Sequence, residues 1–254
     1  MLKTGHELSD GEIRAGYSRL HHRGGLGPEF LRRVIALAGT PAARLIDVGC
    51  GTGDLLAALA ARFPRSELTG VDISTARVRR PLRDGRRVRV ADADVQCGLP
   101  FRASSFDGAF CTEVVEHLKQ PQRGLEEILR VLRPGGWAVV TVPNGTGFAP
   151  FHRLGRLVPG RWLRGKLLPY EHPLVTDQPI DTCFVYREIV DLVRAAGFTI
   201  DLVRGYRYFR YLEMLPVVRD VYTPLTPWLE RTLPRVGGVR FAYNLLLRCR
   251  KPAA

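Results

Sequence analysis

The stretch TEVVEHL, residues 112–118, carries three side chains that could do acid–base chemistry. Glu113, Glu116 and His117 are three and four residues apart, so they share one face if the segment is helical. Because histidine is the commonest general base, His117 and Glu113 are candidate catalytic residues. Carboxylates and an imidazole could equally hold a divalent cation. His117 could also be a structural histidine, and His172 in LPYEHP is a further candidate base or a loop residue.

A glycine-rich loop earlier in the chain predicts a ligand-binding cradle. Residues 45–56 read LIDVGCGTGDLL, a strand-like run, then Gly49, Gly51 and Gly53, then a helical run. This order is typical of a site for a nucleotide-like ligand. The dinucleotide fingerprint needs a glycine where Asp54 stands. Asp47 and Asp54 would also repel a pyrophosphate, whereas a ligand with an ammonium and a sulfonium, such as S-adenosylmethionine, fits better.

A further acid supports an adenosine ligand. Asp72 ends the run ELTGVDIS and lies 19 residues after Gly53. An acid at the end of a second strand can hold both ribose hydroxyls, because an ionised carboxylate offers two acceptor oxygens. The alternative is that Asp72 or Ser74 caps a helix. The spacing suits a nucleoside, and we therefore expect Asp72 to bind the ribose.

Strand-like and helical segments alternate around these motifs. We predict strands at 44–48, 67–72, 87–91, 106–111, 137–142, 198–204 and 241–249, and helices within 10–38 and at 54–62, 75–83, 122–132 and 186–196. This alternation indicates a mainly parallel sheet with helices on both faces. Such sheets bind ligands beyond the carboxyl ends of their strands, where the glycine loop and TEVVEHL would lie.

Composition narrows the class of protein. The 254 residues suit one sizeable α/β domain, and no apolar run approaches the roughly 18 residues of a membrane span. The five cysteines are scattered without a C-x-x-C pair, so we expect a reducing, cytoplasmic location. The net charge of +13 favours phosphate or carboxylate partners, or reflects a solvated surface.

Four stretches carry a family resemblance: LIDVGCGTG, GVDIS, LPFRASSFDGAFCTEVVEHL and RVLRPGGWAVVTVPN. Together they resemble successive motifs of the class I S-adenosylmethionine-dependent methyltransferases, and the nearest branch is the type 11 group, which includes ubiquinone and menaquinone biosynthesis enzymes. The match covers about residues 44–144 and continues more loosely through 186–204. It implies an α/β, Rossmann-like, seven-stranded, mainly parallel sheet with an antiparallel last strand, helices on both faces and cap insertions.

The resemblance also implies a layout of one methyltransferase domain over residues 1–254. Residues 1–40 would form a helical cap, residues 41–143 the cofactor-binding core, and residues 144–185 and 206–238 insertions on the substrate side. The methionine end of the cofactor would meet Asp47, Gly49, Cys50, Gly51 and Gly53. The rest of the cofactor would meet Asp72 at the ribose, Ile73, Asp94 and Val95 at the adenine (with Asp92 as a rival acid), Thr112 near the methionine tail, and His117 at the pocket wall.

The acceptor is predicted by elimination. Residues 111–114, CTEV, stand where enzymes that methylate DNA amino groups carry an Asn/Asp-Pro-Pro-aromatic motif, and no Pro-Cys dipeptide occurs. We expect a small-molecule acceptor, no stable nucleic acid partner and no metal ion. Two alternatives stay open: a metal-dependent RNA 2′-O-methyltransferase, because E-x-x-E-H with a distant histidine is similar to enzymes acting on RNA 3′ ends, and a cofactor-binding protein without catalysis.

Two segments on the substrate side suggest the character of that acceptor. Residues 151–170 alternate apolar side chains with Arg153, Arg156, Arg161, Arg164 and Lys166 and contain no acid. An amphipathic basic stretch suits an acceptor with apolar and anionic parts, such as a lipid-linked compound, or an anionic membrane surface; the alternative is a solvated surface helix. The aromatic residues within 206–228 would cover the pocket, form a homodimer contact or pack in the core. We expect O-methylation of a small amphipathic or anionic acceptor.

Overall fold

The structure, a computed structural model, describes residues 8–19, 26–39, 43–74, 88–145, 179–208 and 223–253. Its strands are β1 (Arg44–Val48), β2 (Glu67–Asp72), β3 (Val88–Asp92), β4 (Phe106–Thr112), β5 (Leu132–Pro143), β6 (Thr199–Tyr208) and β7 (Ala242–Arg250). Its α-helices are α1 (Asp10–Arg19), α2 (Pro28–Ala36), α3 (Asp54–Arg62), α4 (Pro121–Val131), α5 (Tyr186–Ala195) and α6 (Thr226–Thr232). Short 3₁₀ turns cover Val115–His117, Thr223–Leu225, Leu233–Val236 and Gly238–Phe241.

The seven strands form one sheet in the order β3-β2-β1-β4-β5-β7-β6. The pairs β1–β2, β1–β4, β2–β3 and β4–β5 are parallel, while β7 runs antiparallel to both β5 and β6. The predicted fold class is confirmed, including the antiparallel last strand. The strand order reverses between β1 and β4, and ligands of open α/β sheets bind beyond the carboxyl ends of the strands at such a point.

The sheet is buried on both faces. Strand β4 is buried along its whole length, as expected for a central parallel strand. On one face, Leu125 and Ile128 of α4 and Ile189 of α5 belong to the larger apolar cluster. On the other face, Val34 of α2 and Leu56 of α3 belong to the second cluster. The ends of the strands are thereby fixed, which positions the loops that follow them.

A third, small apolar cluster attaches α1. Ile13 and Tyr17 of this helix are buried against Ile180, with Ile73 packed beside them. The Tyr17 hydroxyl donates a hydrogen bond to the Ile180 carbonyl at 3.0 Å. Helix α1 is therefore attached next to the carboxyl end of β2, where Asp72 lies.

Several predicted boundaries need correction. The strand predicted at 137–142 begins earlier, because β5 already starts at Leu132 and includes the RPGG residues. Leu132 pairs with Phe106, and the register shifts between Phe106 and Gly108. Gly135 allows this with φ of +72°. The last strand begins at Ala242 rather than Phe241, and β6 continues to Tyr208. The helix predicted at 75–83 and most of the insertion 144–185 lie outside the described residues.

Among the described residues, no helix has the length and apolar character that crossing a membrane would require.

Candidate functional site

A cavity of about 740 Å³ lies at the carboxyl ends of β1, β2 and β4. This volume is in the usual range for a small-molecule or cofactor site. The predicted site residues on its wall are Asp47, Gly49, Cys50, Gly51, Asp72, Ile73, Asp94, Val95, Thr112, Glu113 and His117. Asp94 lines the cavity and its rival Asp92 does not. Gly53 does not line the cavity either, and His172 lies outside the described residues.

The glycine loop follows β1 and is fixed to the end of β2. The backbone N–H groups of Gly49 and Cys50 donate to the Val71 carbonyl at 2.7 and 2.9 Å. Gly49 has φ of +77°, and a Cβ atom there would lie 2.2 Å from a methyl carbon of Val114. Glycine is therefore required at position 49, both by the positive φ angle and by the lack of room for a side chain. Gly53 is instead the residue that precedes α3, with φ of +84°.

Asp72 connects this loop to the turn after β2. One of its carboxylate oxygens accepts the Gly51 N–H at 2.9 Å, and the other accepts the Ser74 N–H at 3.0 Å. The side chain is 8% exposed and faces the cavity. Since each carboxylate oxygen has two lone pairs, both oxygens can still accept a hydrogen bond from a ligand.

Asp47 is a buried acid that could interact with a positively charged group of a ligand. It is 2% exposed, and its Oδ2 atom makes no hydrogen bond within the described part of the chain. Burial raises the pKa of this carboxyl to about 8, and the charge of Asp72 adds to the shift. The Thr112 hydroxyl on the same wall is also buried and without a hydrogen bond among the described residues. These orphaned groups and the glycine loop fit a ligand with a positive polar end.

The segment TEVVEHL is not an α-helix, so the predicted shared helical face is wrong. Glu113 has φ of +54°, and only Val115–His117 form a 3₁₀ turn. The Glu113 carboxylate accepts hydrogen bonds from the Thr141 hydroxyl at 2.8 Å and the Asn244 amide at 3.1 Å. These contacts hold the side chain despite its unusual backbone conformation. Glu113, Glu116 and His117 nevertheless all line the cavity.

His117 is oriented by a backbone carbonyl. Its Nδ1 atom lies 2.8 Å from the Ile180 oxygen, and because a carbonyl only accepts, Nδ1 carries the proton in this contact. In neutral His117 the Nε2 atom is then the basic nitrogen. Nε2 lies 3.7 Å from a Glu116 carboxylate oxygen. The ring of Tyr17 lies 5.8 Å from the His117 ring, so α1 borders this part of the site.

Glu116 is the most deeply buried acid of this group. It is 1% exposed, and neither of its carboxylate oxygens has a hydrogen-bond partner among the described residues. Burial raises its pKa well above the usual range, and the charges of Glu113 and Asp181 raise it further. Burial and the neighbouring acids therefore favour the neutral form of this carboxyl when the cavity holds no positive group.

Several wall residues from distant parts of the chain were not among the predicted site residues. They are Tyr17 of α1, Phe30 of α2, Asp181, Arg207, and Tyr243 and Asn244 of β7. Asn244 could have been identified from the sequence, because it is a polar amide within the apolar run of β7. Within the aromatic segment, Tyr206 lines the cavity, but Trp228 is 61% exposed and does not. Phe209, Tyr211 and Tyr222 lie outside the described residues, as do the basic side chains of 151–170.

No three His, Cys, Asp or Glu side chains of the described ranges are arranged to hold a metal ion. The sheet order, the glycine loop after β1 and the acid at the end of β2 together define a Rossmann-like fold with a site for an adenosine-containing ligand.

Comparisons with known proteins identify the family. Residues 46–140 match a family model described as a methyltransferase domain. The chain is 36% identical to trans-aconitate 2-methyltransferase from an Azoarcus species over 68% of this chain and 72% of that protein. It is 38% identical to a ubiquinone/menaquinone biosynthesis C-methyltransferase from Syntrophotalea carbinolica, over 42% of this chain but only 46% of that protein.

Solved structures agree on the fold. A methyltransferase from Mesorhizobium loti superposes with a TM-score of 0.57 at 19% identity, over 89% of this chain and 100% of that chain. The chain therefore belongs to the class I S-adenosylmethionine-dependent methyltransferases, in the type 11 branch. It is an enzyme, and its cofactor is S-adenosylmethionine.

Proposed function

We propose that this enzyme transfers the methyl group of S-adenosylmethionine to an oxygen atom of a small-molecule acceptor bound in the same cavity. The observation that carries the proposal is the continuity of the 740 Å³ cavity. One wall contains the glycine loop and Asp72, and another contains Glu113, Glu116 and His117. A donor held by the first set would face an acceptor held by the second.

The cofactor would bind along the carboxyl ends of β1, β2 and β3. Asp72 would accept hydrogen bonds from both ribose hydroxyls, while Ile73, Asp94 and Val95 would contact the adenine. The methionine end would meet Asp47, Gly49, Cys50 and Gly51 together with Thr112. Bound there, the cofactor supplies an electrophilic methyl group on a positively charged sulfur.

The protein's contribution to methyl transfer is alignment and proton removal. A partly apolar cavity would hold the acceptor in line with the methyl group and would limit the access of water when both ligands are bound. His117 is the proposed base, because its Nδ1–H is already engaged by Ile180 and its Nε2 atom has the lone pair. As the acceptor oxygen bonds to the methyl carbon, the carbon–sulfur bond would break and leave S-adenosylhomocysteine, and the proton of the acceptor hydroxyl would pass to Nε2. Glu113 is the weaker candidate base, since Thr141 and Asn244 already donate to its carboxylate.

A small acceptor agrees with the names of the relatives, which include both O- and C-methyltransferases. An amphipathic or anionic acceptor and a peripheral membrane contact rest on residues 151–170, outside the described ranges. Homodimer formation rests on the aromatic residues within 206–228, which the structure describes only in part. A cytoplasmic location rests on composition. These four points stay predictions.

The test is a methyl-transfer assay on a panel of small alcohols, phenols and hydroxy acids. S-Adenosylhomocysteine release would be measured and the product located by mass spectrometry and NMR. His117→Gln should lower kcat by roughly 10²- to 10⁴-fold, the usual contribution of a general base. The affinity for S-adenosylhomocysteine should stay within about threefold, a change of less than about 0.7 kcal/mol. Glu126→Gln, on the exposed side of α4, is the matched control and should leave both unchanged. Methylation at carbon or nitrogen, or unchanged kcat in His117→Gln, would contradict the proposal.

A further inference from the structure

Acidic side chains line the cavity, although the protein as a whole is basic. The whole chain has a net charge of +13. The carboxylates on the wall are Glu29, Asp47, Asp54, Asp72, Asp94, Glu113, Glu116 and Asp181. Among the lining residues that the structure describes, the only lysine or arginine is Arg207. This concentration of acidic side chains therefore bears on what the cavity binds.

The cofactor accounts for only part of that charge. Asp47, Asp72 and Asp94 lie beside the glycine loop and the ends of β2 and β3, where the cofactor is proposed to bind. Glu113, Glu116 and Asp181, here called the acidic subsite, lie instead beyond the end of β4. The Thr182 N–H donates to the Glu116 carbonyl at 2.8 Å, which brings the segment of Asp181 against the 3₁₀ turn. Asp181 and Glu113 are also close enough for their charges to act on Glu116.

The environment of Glu116 is a second, independent observation that indicates a ligand at this subsite. Its carboxyl is almost completely buried, lines the cavity and has neither oxygen hydrogen-bonded within the described chain. Burying a polar group without a hydrogen-bond partner costs free energy, and such groups are therefore rare in native proteins. Glu113 is held in place by Thr141 and Asn244 in a left-handed backbone conformation. The subsite is thus preorganised around a carboxyl that has no protein partner in the described ranges.

We propose that Glu113, Glu116 and Asp181 bind a positively charged group of the acceptor, of the organic ammonium type, and thereby present a nearby hydroxyl to the methyl donor. The inference rests on the proposed function, since it assigns the acceptor side of the same cavity. An ammonium would form charge-assisted hydrogen bonds with the carboxylates, and these are strongest where water is excluded. It would provide a partner for Glu116, whose two carboxylate oxygens make no hydrogen bond among the described residues.

Binding of a cation at this subsite should be coupled to release of a proton from the Glu116 carboxyl. Without a ligand, burial and the neighbouring acids raise the pKa of Glu116 and favour its protonated form; the titratable groups around it are Glu113, Asp181, His117 and the Cys111 thiol. A bound cation favours the ionised carboxylate and lowers that pKa. Binding should therefore expel up to one proton, and affinity for the cation should rise with pH.

The experiment uses three probes of similar shape: benzylammonium, benzyl alcohol and benzoate. Each is titrated calorimetrically into the full chain saturated with S-adenosylhomocysteine, in two buffers of different ionisation enthalpy. We expect benzylammonium to bind at least tenfold more tightly than the other two and to release up to one proton at pH 7. Glu116→Gln should remove the preference and the proton release while leaving S-adenosylhomocysteine affinity unchanged. Glu126→Gln should behave like the natural protein.

Asp181→Asn provides a second variant, because Asp181 is only partly buried and its substitution does not disturb the core. It should weaken benzylammonium binding by about tenfold, the effect of about 1.4 kcal/mol. Equal binding of the three probes, or no change in either variant, would overturn the proposal. So would stoichiometric binding of Mn²⁺ alone together with loss of turnover on chelation, because the subsite would then be a metal site.

Two outcomes with S-adenosylhomocysteine separate this inference from the proposed function. If Glu116→Gln abolished S-adenosylhomocysteine binding, the subsite would belong to the cofactor and the inference alone would fail. If the natural protein bound no S-adenosylhomocysteine, the proposed function and this inference would both fail.

Discussion

Replacing Asp72 by alanine should weaken cofactor binding more than any other single change to a polar group of the site. In the protein, its two oxygens accept the Gly51 and Ser74 N–H groups at 2.9 and 3.0 Å. Asp72→Ala therefore removes two acceptors of the ribose hydroxyls and also releases two backbone groups that shape the loop. Hydrogen bonds to a charged group contribute about 1.5–3 kcal/mol each, so losing two of them costs about 3–6 kcal/mol.

That cost corresponds to a roughly 10²- to 10⁴-fold rise in Kd. The assay is isothermal titration with S-adenosylhomocysteine at 25 °C and constant salt. Asp72→Asn should show a smaller loss, because it keeps one oxygen acceptor while removing the charge.

Asp107→Ala is the matched control. Asp107 is also a buried carboxylate that accepts a backbone N–H, from Arg44 at 2.8 Å, but it lies at the start of β4 and away from the cavity wall. Its variant should lower the free energy of unfolding and leave cofactor affinity unchanged. A Kd for Asp72→Ala within threefold of the natural value, in a folded protein, would refute the assignment of Asp72 to the ribose.

The remaining predictions concern the loop, the buried acid, metal ions and the basic stretch. Gly49→Ala should abolish cofactor binding and lower Tm in a thermal melt, because its Cβ atom would lie 2.2 Å from Val114. The folded-state pKa of Asp47, about 8, lies above its usual 3.8, so its stabilising contribution is complete below about pH 4 and is lost as pH rises through 8. Asp47→Asn should accordingly flatten the fall in unfolding free energy between these pH values, by up to about 1.4 kcal/mol per pH unit in urea titrations. Turnover should survive exhaustive chelation, and loss of activity that Mg²⁺ or Mn²⁺ restores would favour a metal-dependent enzyme. Replacing Arg153, Arg156, Arg161 and Arg164 together by Gln should raise acceptor KM at constant cofactor affinity, whereas an unchanged KM would show that this stretch is only surface.

That the residues proposed to hold the cofactor lie together could be predicted from sequence, because their positions are encoded locally. Gly49, Gly51 and Asp72 each follow a strand whose end is marked by an apolar run, and parallel strands bring these ends to one edge. The sheet order follows from the same alternation together with the family resemblance. Local spacing was therefore enough to bring the predicted cofactor residues, other than Gly53, to one cavity.

On the proposed acceptor side, Glu113 and His117 were predicted, but their conformation and several of their neighbours were not, because long-range contacts determine them. Glu113 adopts a left-handed backbone conformation that residues other than glycine rarely adopt, and contacts with Thr141 of β5 and Asn244 of β7 hold it there. The prediction from helical spacing that the acidic residues and His117 of TEVVEHL share one helical face was therefore wrong. Tyr17 reaches the cavity only because α1 packs against Ile180. The extension of β5 to Leu132 likewise depends on its pairing with Phe106, which no local pattern indicates.

The most direct test of the account is a crystal structure of the protein with S-adenosylhomocysteine bound. The account predicts both ribose hydroxyls within hydrogen-bond distance of the Asp72 carboxylate and the methionine end against the loop of Gly49 and Gly51. It also predicts that the sulfur faces the part of the cavity lined by His117 and the acidic subsite. A ligand whose ribose lies away from Asp72, or whose sulfur points away from His117, would contradict it.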